Sequence, residues 1–252
     1  MLSIAGYDPS SGAGITADIK TIGAHGCYGL TCITALTVQS TRGVRGVRPI
    51  AEKIITDTLN ELAADFEISA IKIGMLGSAE AVRAVAAFLK LHRYRNVVLD
   101  PVLSSSSGAC LLTPEGVRVL KQELLQLSDV ITPNVDEAET LTGVRTRTSD
   151  AMRAAALSMH ELGAINVIIT GGHLARPTDF LSMESGGFTK LFATRKIDTR
   201  STHGTGCTFS TALACNLAMG SGLVRATSAA KEYVAAALRS APRLGKGLGP
   251  VV

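Results

Sequence analysis

At 252 residues, with 46% hydrophobic residues and no tryptophan, the chain can bury one substantial core packed from Ala, Val, Ile and Leu. Its net charge of +4 is modest and its Lys and Arg are scattered, which argues against nucleic acid or an anionic membrane as a partner and suits an anionic small molecule. No apolar stretch reaches a membrane-spanning length, and the first residues enter a strand-like run without a basic leader, so a soluble, cytoplasmic protein is expected.

Short apolar runs alternate with helical patterns along the whole chain, the pattern of parallel strands linked by helical crossovers. Strands are predicted over Leu2–Ala5, Tyr28–Val38, Ala70–Ile73, Asn96–Leu99, Asp129–Ile131 and Asn166–Thr170. Between them Ile55, Leu59 and Leu62 mark one helix face, Val82, Val85 and Leu89 a second, and Val117, Leu120, Leu124 and Leu127 a third. Thr113-Pro114-Glu115 carries an N-cap and a first-turn proline, and Ser149-Asp150 has the look of another helix start. Thr178–Ser185 and Phe188–Ile197 flank Gly186-Gly187 and are predicted as a β-hairpin, followed by two Ala-rich helices over Thr208–Met219 and Val224–Leu238. In such a sheet ligands collect beyond the carboxyl ends of the strands, where most of the chain's Gly-rich turns lie.

Five cysteines (Cys27, Cys32, Cys110, Cys207 and Cys215) are an odd number without C-x-x-C spacing, which argues against a disulfide framework or a zinc site. The five histidines show no H-x-x-x-H or H-E-x-x-H spacing. One thiol is placed differently from the rest. In Ser201-Thr202-His203-Gly204-Thr205-Gly206-Cys207 two glycines let consecutive N–H groups converge at the start of a helix, which makes an anion hole, and a thiol at a helix N-terminus has its thiolate favoured. Gly6 to Gly14 is a second Gly- and Ser-rich turn, with neither the P-loop lysine nor the G-x-G-x-x-G order, so Walker and dinucleotide sites are rejected. Ser104–Cys110 is small and polar and suits a flap that excludes water.

The anion turn, together with Ser3-Ile4-Ala5-Gly6-Tyr7-Asp8-Pro9-Ser10-Ser11-Gly12-Ala13-Gly14, Lys72-Ile73-Gly74-Met75-Leu76, Asp100-Pro101-Val102, Thr132-Pro133-Asn134, Gly171-Gly172-His173 and Gly245–Pro250, resembles the ribokinase superfamily. His-Gly-Thr-Gly-Cys, with Cys207 where sugar kinases carry Asp, is similar to the hydroxymethylpyrimidine/phosphomethylpyrimidine kinase branch. The resemblance implies one ribokinase-like α/β domain over residues 1–252, a three-layer sandwich whose mostly parallel sheet has helices on both faces. It also implies an ATP- and Mg²⁺-dependent kinase that phosphorylates 4-amino-5-hydroxymethyl-2-methylpyrimidine and then its monophosphate in thiamine biosynthesis. A pyridoxine or pyridoxal kinase of the same fold is the alternative, and a non-catalytic binding protein on this scaffold is the rival from another class. The expected assembly is a homodimer.

Phosphoryl transfer asks for positioning, charge neutralisation and a place for the acceptor's proton. The resemblance assigns Cys207 as the catalytic group, with base the favoured role, and Gly204, Thr205 and Gly206 as the anion hole. Asp100 and Glu137 are expected at Mg²⁺. Gly6, Ala13, Asp18, Thr37, Gln39 and Met75 are expected at the acceptor, Gln39 because an amide can both donate to and accept from an aminopyrimidine. Asn134, Thr170, Gly172 and Lys231 are expected on the nucleotide side.

Overall fold

The computed structural model describes residues 1–252 apart from Ser106, His173 and Ala175, and only the backbone of Glu184. Nine strands form one sheet in the order β3-β2-β1-β4-β5-β6-β7-β8-β9. They are β1 Leu2–Tyr7, β2 Leu30–Ser40, β3 Gly43–Pro49, β4 Ile71–Ile73, β5 Val97–Leu99, β6 Val130–Ile131, β7 Val167–Ile169, β8 Thr178–Met183 and β9 Phe188–Ala193. Strands β2, β1, β4, β5, β6 and β7 run parallel, while β3, β8 and β9 are antiparallel additions at the two edges.

Alternation along the strands makes the layers. Val97 and Leu99 pack with helices α2 (Glu52–Asp65), α3 (Ala79–His92), α4 (Pro114–Val119), α5 (Val135–Thr142) and α6 (Ser149–Glu161). Val98, between them, faces the opposite layer of α1 (Gly14–Ala24), α7 (Thr205–Ala218) and α8 (Leu223–Ser240). The expected three-layer α/β sandwich is therefore the observed one. Among the described residues no helix is long and apolar enough to cross a membrane.

The strands predicted from apolar runs are present with ends within two residues of those expected, β1 and β2 running on to Tyr7 and Ser40, and the hairpin is β8–β9, its second strand ending at Ala193. Thr113 caps α4 as expected, its hydroxyl accepting from Gly116 N–H at 3.1 Å. The cap of α6 is Thr148 and not Ser149, because the Thr148 hydroxyl accepts from Ala151 N–H. Helix α7 begins at Thr205, three residues earlier than expected, which brings Cys207 inside its first turn. Strand β3 and helix α5 were not foreseen as elements.

The chain order places a switch point between β1 and β4: the chain leaves β1 to add β2 on one side, then returns to build β4 through β7 on the other. That crevice is where an open α/β sheet binds ligands. The turns after β1 and β4 carry Gly6–Gly14 and Gly74-Met75, and both open into it.

Candidate active site

The anion turn is built as its glycines require. Gly204 is the N-cap of α7 at φ 83°, and a Cβ there would lie 1.7 Å from the carbonyl oxygen of Gly12. The turns after β1 and before α7 thus meet backbone to backbone, and only glycine fits. Thr208 N–H bonds back to Gly204 O at 2.8 Å. The amides of Gly206 and Cys207 precede it, in the turn whose donors a helix leaves unpaired.

Cys207 keeps some accessible surface, yet its thiol is pushed up to about 12 by burial, with Lys72 pulling it back down and Asp100 and Asp18 adding to the rise. The expectation of a helix-favoured thiolate is therefore corrected: desolvation outweighs the half-charge of a helix end. At neutral pH the resting group is a thiol, a hydrogen-bond donor beside the free amides.

Beneath it lies a buried charge cluster. Lys72, on β4, is fully enclosed, and its ammonium contacts Asp18 Oδ1 and Oδ2 at 3.1 and 3.0 Å. Asp18 also accepts from Thr211 Oγ1 at 2.8 Å and from the Ser3 hydroxyl. Ser210 Oγ, one residue before Thr211 on α7, donates to Asp100 at 3.0 Å. Burial pushes Lys72 down, but the carboxylates of Asp18, first, and Asp100 outweigh it and hold the amine above its ordinary value. A Cβ on Gly74 would come within 2.7 Å of Lys72 Nζ, so the residue before Met75 is glycine to make room for the amine. Asp18 was expected at the acceptor. It has no exposed surface and its oxygens are taken, so it is the anchor of Lys72 and of α7.

Asp100 and Glu137 are both nearly enclosed. Burial raises Asp100, with Lys72 opposing, and pushes Glu137 up to about 8, with the charge of Asp100 adding to the rise. Two buried carboxylates that repel each other fit a divalent cation completed by phosphate oxygens and water, the usual way Mg²⁺ is held. Among the described residues no set of three or more His, Cys, Asp or Glu side chains is placed to hold a metal alone.

Glu137 has a second task. It closes a capping box with Asn134: Asn134 N–H donates to Glu137 Oε2 at 2.9 Å, and Asn134 Oδ1 accepts from Asp136 and Glu137 N–H. Glutamine can serve the same cap. Glu137→Gln is therefore expected to keep the fold and Tm while raising the Mg²⁺ needed for half-maximal rate several-fold. A Mg²⁺ titration that matches wild type would leave Glu137 with its capping role alone.

On the nucleotide side Thr170 N–H donates to Pro133 O at 2.8 Å, joining the turns after β6 and β7, and Gly172 opens to free space. His173 lies outside the described residues. Lys231, expected at the nucleotide, is instead paired to Asp179, whose other oxygen accepts from Gly171 N–H at 3.0 Å. The pair braces the Thr170–Gly172 turn from α8.

On the acceptor side Gly6 lies against Met75, since a Cβ on Gly6 would meet Met75 Sδ at 2.9 Å. Met75 belongs to a small apolar cluster with Ala35 and Leu111, edged by Val44, Val47 and Val102. Ala13 donates its N–H to Asp8 Oδ2, and Thr37 donates its hydroxyl to Tyr7 O. Gln39 touches both Thr37 and His203. Gln39 and His203 line a cavity of about 210 Å³ with Arg42, Arg200, Ser105 and Ser107. On either side of Ser106, which lies outside the described residues, Ser105 N–H donates to Ala109 O and Ser107 Oγ accepts from Val44 N–H of β3. Cys110 is exposed.

A three-layer α/β sheet with an anion turn heading α7, two buried carboxylates and a cavity beside the β2–β3 hairpin has the parts of a ribokinase-like small-molecule kinase. Residues 8–252 match the family model described as phosphomethylpyrimidine kinase. The chain is 43% identical to the hydroxymethylpyrimidine/phosphomethylpyrimidine kinase of Haemophilus influenzae, covering 99% of this chain and 94% of that protein. It is also 43% identical to a thiamine biosynthesis bifunctional protein of Geobacter sulfurreducens, all of it matching but spanning only 51% of that longer protein. Among solved structures, the ADP complex of Bacillus subtilis pyridoxal kinase superposes with a TM-score of 0.89 at 36% identity, over 99% of this chain and 95% of that one. The chain belongs to the phosphomethylpyrimidine kinase family.

Proposed function

We propose that the protein transfers the terminal phosphoryl group of ATP to the hydroxymethyl group of 4-amino-5-hydroxymethyl-2-methylpyrimidine, and a second one to the resulting monophosphate, in thiamine biosynthesis. One observation carries this: the turn Gly204–Cys207 heads α7 while packed against the Gly6–Gly14 turn of the acceptor side. Donor phosphates and an acceptor alcohol are thereby held at one point, which is most of what phosphoryl transfer needs.

The free amides of Gly206 and Cys207 and the Cys207 S–H face the charge that builds on the transferred group. Asp100 and Glu137 would hold Mg²⁺, which would neutralise phosphate charge. Lys72 supplies the fixed positive charge that lets three acidic groups crowd behind the reacting oxygens. Met75 and its apolar neighbours take the heterocycle face, and the Ser104–Cys110 flap keeps water out. The curated kinases named above support the pyrimidine acceptor. The match to a pyridoxal kinase makes a pyridine alcohol the competitor to measure.

The experiment is phosphate transfer from ATP to a panel of pyrimidine and pyridine alcohols, compared by kcat/KM. The highest value is expected for the aminopyrimidine, and a higher value for pyridoxal would reverse the assignment. Gln39→Ala is expected to leave the KM for ATP almost unchanged and to raise that for the pyrimidine alcohol by about 5- to 150-fold, the effect of one or two lost hydrogen bonds. Unaltered steady-state kinetics would remove Gln39 from the pocket.

A further inference from the structure

A second cavity, of about 670 Å³, lies between Asp198–Ser201, the segment that leads into the anion turn, and the loop that follows α8. Gly204–Cys207 are not among the described residues that line it. Both of its walls are pinned. Ser201, 2% exposed, donates its hydroxyl to Pro242 O at 3.0 Å, and Gly249 N–H donates to Arg200 O at 3.1 Å. From the other side the loop is seated on Thr41 of the β2–β3 turn: Gly247 N–H donates to Thr41 Oγ1 at 3.2 Å and Leu248 N–H to Thr41 O at 2.8 Å. A Cβ on Gly247 would lie 1.9 Å from that carbonyl oxygen, so the approach requires glycine.

The charge of this cavity is one-sided. Arg200, Arg243 and Lys246 line it against a single carboxylate, Asp198, and none of the four is in an ion pair among the described residues. Cations gathered at one cavity repel one another until an anion joins them. The backbone adds to this. Gly245 stands at φ 75°, and the amides of Gly245 and Lys246 donate to no other described residue. Consecutive free N–H groups about a left-handed residue make a nest that binds anions, and guanidinium groups match the oxygens of a phosphate. Volume narrows the class, because the space is that of a small-molecule site and far more than a phosphate ion fills, and Leu244 gives it an apolar side chain.

We infer that this cavity is a second anion site, separate from the anion turn, which takes a small phosphate ester: the phosphate on Arg243, Lys246 and the amides of Gly245 and Lys246, the organic group over Leu244. The site goes beyond the proposed reaction and does not depend on which alcohol is phosphorylated. Arg200 lines the smaller cavity beside Gln39 as well, so Arg243 and Lys246 are the residues that test the second site alone. Both are exposed and can be replaced without disturbing the core.

The test is amide NMR on the full chain, titrated separately with inorganic phosphate, ribose 5-phosphate and the pyrimidine monophosphate. Saturable shifts are expected at Gly245 and Lys246 with all three, and each ester is expected to bind more tightly than inorganic phosphate. Either ester may be the tighter and the site stands: the pyrimidine monophosphate in first place makes the ligand the enzyme's own product, ribose 5-phosphate in first place makes it a phosphate ester from elsewhere. The double variant Arg243→Ser, Lys246→Ser is expected to weaken this binding by about 10-fold or more, the loss of at least one charge-assisted hydrogen bond, while kcat and the acceptor KM stay near wild type. Raising the salt from about 0.05 to about 0.5 M is expected to weaken it as well. Shifts confined to Gly206 and Cys207, or binding that the double variant leaves unchanged, overturn the site. Inorganic phosphate binding as tightly as both esters overturns the ester class.

Discussion

Cys207→Ala is expected to lower kcat by about 10²- to 10⁴-fold with little change in the Kd of either substrate, the loss that follows removal of a positioned donor or proton acceptor. Two further variants separate those roles. Burial holds the thiol up at about 12, so the resting group offers S–H to an oxygen. Serine keeps a donor, and Cys207→Ser is expected to recover part of the rate. Aspartate would bring a third carboxylate beside Asp100 and Asp18, with Lys72 as the shared cation, and Cys207→Asp is expected to do no better than alanine. If Cys207→Asp outperforms Cys207→Ser, the residue is a base, as the comparison with sugar kinases suggests. Near-normal turnover of Cys207→Ala would reduce the thiol to a packing group at a helix start.

The central parallel strands were legible in the sequence because β4, β5, β6 and β7 are buried on both faces, which leaves a short unbroken apolar run such as Val97–Leu99 or Val167–Ile169. Strand β3 was not, because Gly43-Val44-Arg45-Gly46-Val47-Arg48-Pro49 is an edge strand: its two glycines, two arginines and proline are what an edge tolerates and what a strand pattern lacks. Helix α5 is only eight residues long, too short for an apolar period to show, although Asn134 and Asp136 are residues that cap helices. In the site, residues that act through local backbone geometry were readable, Gly204, Gly206 and Cys207 above all. Those that act through long-range contacts were not. Asp8 and His203 lie in motifs noted for their glycines, and nothing local announces that they meet in the fold. Lys72 had a signal: a lysine inside the apolar run Ala70–Ile73 needs a buried partner, although nothing local names Asp18 as that partner.

Lys72→Met is the stability counterpart of the Cys207 series. Removing the amine strands Asp18 in a site with no exposed surface, where it keeps only the hydroxyls of Ser3 and Thr211. Breaking one side of a buried pair costs about 3–5 kcal/mol. For a chain of this size that lowers Tm by roughly 6–20 °C. Asp18→Asn added to Lys72→Met should restore much of the loss, because asparagine still accepts from both hydroxyls and no charge is left buried, while methionine fills the space of the lysine stem. Thermal unfolding of the two singles and the double closes the cycle, and a coupling energy within about 0.5 kcal/mol of zero would show the two charges to be independent. The sign also distinguishes the pair from simple packing: lost contacts alone would make the double variant no more stable than Lys72→Met, whereas relief of a stranded carboxylate makes it more stable.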